Sequence, residues 1–408
     1  MKKILLIMPY GSVGGMERLA LTFYNYYKSQ GFEVKAVKIV KLRNDIINFG
    51  EDEFFISDKD LHEFTFQERL KFYLKIPGML RKIIKQQDTT HSIAFGDMAN
   101  IFSSLTFTRE FKIASIHALK SVEFLNNTFL NKIFKLGFKT SYYNFDKVVC
   151  ISEAIKKDLI ENCGFPYRSK LQVIYNPHDI NELSRLAELP LDHSEEENIF
   201  SKPVIAFIGR LSMQKSPWHL INAFALLLKQ RPDTQLLFIG DGDINVEIYV
   251  RKRISNLGIV ENVSFIGRKS NPYKYLRRAK LLALSSYYEG TPNVIVEAVA
   301  LGIPVVSSLC TDGILELMSL RQKEIKDKKI YTETGIVTPN FFEGSLEIPE
   351  NVDFTLQEEI MAEAFGEIIK TTFFSENLMH HKSEILQKFN LREVANTYLL
   401  PVAKLNIV

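Results

Sequence analysis

Short, nearly unbroken apolar runs recur along the chain, and each closes at a turn. KILLIM (residues 3–8) is the first, followed by residues 32–40, 92–97, 111–116, 147–151 and 171–175. A second series follows at 203–208, 235–240, 263–268, 280–284, 305–308 and 334–337. Runs of this length that do not alternate apolar with polar are expected to be strands buried on both faces, as in parallel sheets. Helical periodicity separates them. Helices are expected from about Met16, over 61–87 with a break at Pro77-Gly78, over 124–145, over 153–162 between Ser152 and Gly164, over 217–229, up to Leu301, and over 355–375 and 383–404. Strands alternating with helices predict an α/β fold. The polar, proline-flanked stretch 190–203 (PLDHSEEENIFSKP) divides the two series and reads as a linker. The expected architecture is therefore two Rossmann-like doubly wound domains, 1–190 and 200–382. A C-terminal helix over 383–408 is expected to pack back on the first.

Composition narrows the partners more than the fold. With 408 residues and a formal net charge of +3, the chain is an ordinary globular one, and no nucleic acid or other polyelectrolyte is implied. The three cysteines, Cys150, Cys163 and Cys310, have no paired spacing, so reduced thiols in the cytoplasm are expected. The apolar run after Lys2-Lys3 stops at Pro9, too early for a signal peptide, and no run is long enough for a membrane span.

The candidate chemistry gathers at strand ends. The strand over 280–284 runs into Ser285-Ser286-Tyr287-Tyr288-Glu289-Gly290-Thr291-Pro292-Asn293-Val294. Pro292 fits a first helical position, and Gly302 a helix C-cap. Glu289 then lies at a strand's C-terminal end and just before a helix N-terminus, a place suited to a phosphate. Glu297, eight residues on, shares a helix face with Asn293. Arg210 and Lys215 lie in the loop after residues 203–208, where a planar fork and a point charge suit a diphosphate. Arg268 ends another strand, within reach of a base. His117 ends the strand over 111–116. Gly14-Gly15 follows the first strand and favours close approach of backbone to a ligand, but the loop is not G-x-G-x-x-G, which disfavours a nicotinamide dehydrogenase. Asp241-Gly242-Asp243 matches D-x-D, yet reads better as a turn with an aspartate N-cap.

Two basic stretches interleave with apolar residues. In 66–85, Arg69, Lys71, Lys75, Arg81, Lys82 and Lys85 face Glu68 alone, and Lys132, Lys135 and Lys139 lie within 129–139. Each fits a solvated helix over a core, and each also fits contact with an anionic bilayer.

Gly209-Arg210 through Lys215, then Glu289-Gly290-Thr291-Pro292-Asn293 through Glu297-Ala298, resemble the donor-site motifs of family 4 glycosyltransferases of GT-B fold. Gly14-Gly15 before Glu17-Arg18, His117, Val173 to Pro177 and Gly302 to Val306 extend the resemblance over nearly the whole chain. Cys310-Thr311-Asp312-Gly313 departs from the glycine-rich turn common in relatives. The resemblance implies two domains facing across a cleft and a retaining transfer from a nucleotide-diphospho-sugar, with UDP as the expected nucleotide and no metal or other cofactor. It implies that Arg210 and Lys215 neutralise the departing diphosphate, that Gly14, Gly15 and the backbone of Thr291 to Val294 donate N–H groups, and that Glu297 binds the ribose. It further implies that Glu289 binds the sugar and His117 contacts it near the reacting carbon. The acceptor would be a lipid-linked or surface glycan, as in polysaccharide or lipopolysaccharide biosynthesis, met at the inner face of the cytoplasmic membrane. Two alternatives are a sugar-nucleotide 2-epimerase of the same fold and a non-catalytic nucleotide-sugar-binding protein. The first needs acid–base residues beyond His117, and the paired glutamates argue against the second.

Overall fold

The run KILLIM forms β1 (Lys3–Met8), and its neighbours bury it from both sides. Leu5 and Ile7 enter one hydrophobic cluster, Ile4, Leu6 and Met8 the other. That is why this strand shows no apolar–polar alternation. With β2 (Glu33–Val40), β3 (Glu53–Ser57), β4 (His91–Phe95), β5 (Phe111–Ile116), β6 (Lys147–Cys150) and β7 (Leu171–Val173) it builds a seven-stranded sheet. The order is β3-β2-β1-β4-β5-β6-β7, parallel throughout.

The second sheet repeats the plan with β8 (Val204–Ile208), β9 (Gln235–Ile239), β10 (Val263–Phe265), β11 (Leu281–Leu284), β12 (Val305–Ser308), β13 (Ile330–Thr332) and β14 (Gly335–Thr338). Its order is β10-β9-β8-β11-β12-β14-β13, parallel except for the β13–β14 hairpin. Both sheets are doubly wound, with their loops at the C-terminal strand ends available for ligands. The computed structural model describes residues 2–11, 15–42, 45, 47–123, 129–321, 328–344, 346–349 and 353–402. The chain divides into one unit of Met1–Pro177 with Lys388–Val408 and another of His178–Gln387.

The boundaries differ from the expected ones for physical reasons. Residues 190–203 are no free linker. Asp192 and Glu196 accept from the Tyr275 hydroxyl at 2.8 and 2.7 Å, and Lys269 pairs with both carboxylates, at 3.2 and 2.9 Å. The charged run is thus bound to the second unit, and the division falls earlier, at Pro177. The C-terminal region holds three helices, Leu356–Lys370, Phe373–Gln387 and Leu391–Tyr398. Extended Thr371 ends the first, and Asn390 caps the third by accepting from the Glu393 N–H. Only the last belongs to the first unit. There Tyr27 donates to the Ala395 carbonyl at 2.7 Å, Tyr398 meets Ser115 at 3.0 Å, and buried Lys147 donates to the Thr397 carbonyl at 2.7 Å.

The helix Phe66–Gln86 also runs straight through Pro77. Ile76, Leu80 and Ile84 are buried on either side of it. At about 1.5–3 kcal/mol each they outweigh the ~3 kcal/mol that an interior proline costs. Of the helix expected at 124–145, Phe129–Lys139 is helical, and 124–128 lie outside the described residues.

Candidate active site

The loop after β8 is shaped by close backbone contact. A Cβ on Gly240 would lie 2.0 Å from the Gly209 carbonyl oxygen, so the turns after β8 and β9 can cross only with glycine there. The loop ends at Ser216, whose φ of 37° places a residue with a Cβ in the left-handed region. Such strain persists only where surroundings over-determine it. Here the Ser216 hydroxyl donates to the Ser285 carbonyl at 2.5 Å. In return the Ser285 hydroxyl donates to the carbonyls of Lys215 and Ser216, at 3.0 and 3.1 Å. Pro217 then opens the helix Pro217–Leu228.

These bonds tie the Lys215 loop to the turn after β11. In that turn the Ser308 hydroxyl donates to the Ser286 carbonyl at 2.7 Å, and the Ser286 hydroxyl donates to Glu289 Oε1 at 2.8 Å. Gln214 donates to the Tyr288 carbonyl at 2.9 Å and reaches Glu289 Oε2 at 3.4 Å. Lys215 Nζ stands 2.5 Å from Glu289 Oε1. Glu289 is buried and Lys215 partly open, and the helix Asn293–Leu301 begins four residues later, with extended Pro292 as its N-cap rather than its first residue. A carboxylate, an ammonium and the first turn of a helix thus meet at one strand end. Glu297, buried in that helix, accepts from the Tyr273 hydroxyl at 3.2 Å.

The remaining predicted residues fall in distinct settings. Arg210 is exposed, with no ion pair among the described residues. Arg268 is also exposed, but its guanidinium grips Asp241 Oδ1 through Nε at 3.0 Å and Nη2 at 2.7 Å. Gly290 is half-buried and contacts the departing loop at 310–313, since a Cβ on Gly313 would lie 2.7 Å from its carbonyl oxygen. Pro292 and Val294 are buried, and Thr291 and Asn293 half-buried. The Thr291 and Ser212 hydroxyls are buried with no hydrogen-bond partner among the described residues. Buried polar atoms of this kind call for a ligand or water. Asp243 caps the helix Ile244–Asn256 by accepting from the Asn245 and Val246 N–H groups.

In the first unit, His117 follows β5, and its Nε2 is buried with no partner among the described residues. Burial, with the nearby Lys120 ammonium second, pushes its pKa down to about 3. The imidazole is therefore neutral, fit to hydrogen bond rather than to carry charge. Lys120 itself is bound to Asp97 at 3.0 Å and Glu123 at 2.5 Å. Gly15 is the exposed first residue of the helix Gly15–Ser29, while Gly14 lies outside the described residues.

Three features escape sequence reasoning. Tyr273 and Ser212 carry no motif. Lys38 has a signal, a lysine inside the apolar strand EVKAVKIV. Its Nζ is buried between Glu53 at 2.9 Å and Asp45 at 3.3 Å, and Asp45 Oδ1 accepts the Gly11 N–H at 2.9 Å. The loop after β1 is thus anchored on a buried ion triad.

Comparison with known proteins accords with this geometry. The family described as Glycosyltransferase Family 4 matches residues 13–182, and Glycosyl transferases group 1 matches 192–341. The chain belongs to the family 4 glycosyltransferases and has the GT-B fold. It is 28% identical over 279 residues to an uncharacterized glycosyltransferase of Methanocaldococcus jannaschii, covering 66% of this chain and 68% of that one. It is also 26% identical over 305 residues to a Campylobacter jejuni enzyme, N-acetylgalactosamine-N,N'-diacetylbacillosaminyl-diphospho-undecaprenol 4-alpha-N-acetylgalactosaminyltransferase, covering 73% and 78%. HepE of Anabaena, solved with UDP and glucose, superimposes with a TM-score of 0.73 at 18% identity, over 97% and 98% of the two chains.

Proposed function

We propose that this protein is a retaining glycosyltransferase that moves a hexose or N-acetylhexosamine from a UDP-sugar to a lipid-linked or surface-glycan acceptor. The observation that carries the reading is the Lys215–Glu289 pair at the head of the helix Asn293–Leu301, with Arg210 exposed in the same loop. In this reading an acceptor oxygen attacks the anomeric carbon on the face the diphosphate leaves. The bond from that carbon to the β-phosphate oxygen breaks, and the acceptor's proton passes to the departing phosphate. Negative charge builds on the leaving group, and Arg210, Lys215 and the N–H groups of Thr291, Asn293 and Val294 would stabilise it there. Those cations would supply the charge that a metal supplies elsewhere, so transfer would survive chelators. Glu289 would hold the sugar, Glu297 the ribose, Arg268 the base, and His117 the sugar near the reacting carbon. The Campylobacter jejuni relative, whose name specifies a diphospho-undecaprenol acceptor, and the HepE complex with UDP support the choice of acceptor and nucleotide.

A peripheral place on the inner face of the cytoplasmic membrane belongs to the same reading. No helix among the described residues is long and apolar enough to cross a membrane. On the helix Phe66–Gln86, however, Phe66, Leu70 and Leu74 form an exposed apolar stripe at four-residue spacing, 78%, 51% and 75% accessible. Lys71, Lys75, Lys82 and Lys85 are exposed beside it. On the helix Phe129–Lys139, Ile133 and Leu136 are exposed with Lys132, Lys135 and Lys139. An apolar stripe edged by lysines fits anionic lipid, at about 1 kcal/mol per lysine near the surface.

A thermal-shift panel of nucleotide sugars, followed by transfer assays with and without EDTA, tests the reading. Stabilisation by a UDP-sugar and EDTA-resistant turnover that Glu289→Ala abolishes are expected. Near-normal turnover in that variant refutes the site. Flotation with anionic vesicles tests the membrane part, and failure to bind them would sink it while leaving the transferase intact.

A further inference from the structure

Trp218, the chain's sole tryptophan, is buried in the helix Pro217–Leu228, and its indole N–H donates to the Tyr287 hydroxyl at 3.2 Å. An indole can only donate, so the Tyr287 oxygen accepts and the tyrosine's own proton must go elsewhere. Its other neighbour is His219 Nε2, at 3.0 Å. Nε2 then accepts, and Nδ1 carries the proton it gives to Glu358 Oε1 at 2.7 Å. Asn222 Nδ2 donates to the same oxygen at 2.9 Å, which turns Asn222 Oδ1 towards Arg253 Nε at 2.8 Å. The other Glu358 oxygen accepts the Thr355 N–H at 2.9 Å, and the His219 ring lies flat on Phe341 with centroids 4.5 Å apart. Every link has one direction, so this buried chain has one arrangement.

The chain ends on the donor turn. The Tyr287 N–H donates to the Gln214 carbonyl at 2.8 Å, and Gln214 in turn binds Tyr288 and Glu289. Tyr287 is two residues from Glu289, and Trp218 three residues from Lys215. The relay therefore joins the two segments that carry the Lys215–Glu289 pair. Packing alone does not call for it, because apolar side chains of similar volume would fill the space without leaving donors and acceptors to satisfy.

We propose that His219 and Glu358 are positioning residues of the donor site. They hold Tyr287 in one rotamer and so set the spacing of Lys215 against Glu289 on which transfer depends. The proposal rests on the donor-site reading of that pair.

The test measures kcat and donor KM for His219→Leu, Tyr287→Phe, their double variant and His219→Gln, each assayed well below its own Tm. UDP titrations followed by Trp218 emission and by calorimetry accompany them. Small misplacements of reacting groups cost about a hundredfold, so His219→Leu and Tyr287→Phe should each lower kcat by about ten- to a hundredfold. The double variant should be no worse than the single ones, because both cut one relay. His219→Gln keeps a polar group within reach of Tyr287 and should recover most of the loss. UDP should shift Trp218 emission in the wild type and not in Tyr287→Phe. A wild type that turns over while His219→Leu changes only Tm, with kcat and KM intact, overturns the proposal and spares the donor-site reading. A wild type that calorimetry shows to bind no nucleoside diphosphate overturns both.

Discussion

Lys38, near the end of β2, and Lys215, in the loop after β8, are both lysines beside a glycine turn at the C-terminal edge of their sheet. Lys38 is held by two carboxylates and the Ile47 carbonyl, and its side chain is 1% exposed. Lys215 faces one carboxylate and is 17% exposed. Lys120 in the first unit follows Lys38, with two carboxylates and a side chain 4% exposed. A doubly neutralised, buried ammonium has no charge left for a ligand and serves to fix the loop that binds it. A singly paired, partly open one can exchange its partner for a phosphate. The pattern of partners, rather than the presence of a lysine, separates scaffold from site.

The sharpest way to break this comparison is to remove each cation. Lys38→Met leaves Asp45 and Glu53 buried without their partner. Breaking a buried pair costs about 3–5 kcal/mol, so this variant should lose most of its stability in urea unfolding. If its midpoint stays at the wild-type value, Lys38 is not the anchor described. Lys215→Met should do the reverse. Loss of one charge-stabilising group costs about 10²–10³ in kcat, while Glu289 keeps the Ser286 and Gln214 donors, so the unfolding midpoint should move less than in Lys38→Met. Equal stability losses in the two variants would erase the distinction.

A smaller effect comes from pH. His117 titrates near 6.5 when unfolded, and burial holds it down at about 3 in the native state. Below pH 6.5 the unfolded chain therefore binds a proton that the native chain refuses. Stability from this group, fully present above pH 6.5, is lost as pH falls towards 3, by about 2 kcal/mol at pH 5. Urea midpoints at pH 7 and pH 5 should converge in His117→Gln. Some slope should remain, because burial also lowers His178, to about 4. Because native His117 stays neutral down to about pH 3, a drop in turnover that tracks this slope would report unfolding rather than chemistry.

What could be read beforehand follows the range of the interactions. β1 and β8 announce themselves because burial on both faces removes alternation from the sequence itself. Gly302, with φ of 75° at the end of the helix Asn293–Leu301, is legible because a C-cap is a local constraint. Glu289 and Lys215 stood out through motif spacing. The Trp218–Tyr287–His219–Glu358 chain did not, since its last bond joins residues 139 apart and no one of them is unusual alone. β3 is an edge strand whose residues are half-covered or exposed, so its apolar signal is weak. The linker failed for the same reason as Lys38. Charge in a sequence reads as solvent exposure, and here Asp192 and Glu196 found buried or half-buried partners far along the chain.

The finest contrast lies within the clamp that carries Lys215. Ser216→Gly removes a left-handed residue with a Cβ, a strain of about 1–2 kcal/mol, and loses one hydrogen bond worth about 0.5–1.5 kcal/mol. Glycine also raises unfolded-state entropy by a further 0.5–1 kcal/mol or so. These contributions nearly cancel, so the unfolding midpoint should stay close to wild type. Ser285→Ala has no compensation. It removes the hydroxyl that serves both the Lys215 and Ser216 carbonyls while the strained φ at Ser216 remains. It should therefore lower both stability and kcat, with Ser216→Gly changing neither by more than a few-fold. If the two serines prove equivalent, the clamp is ordinary packing. If only Ser285 matters, the backbone at Lys215 is held in place for the charge it presents.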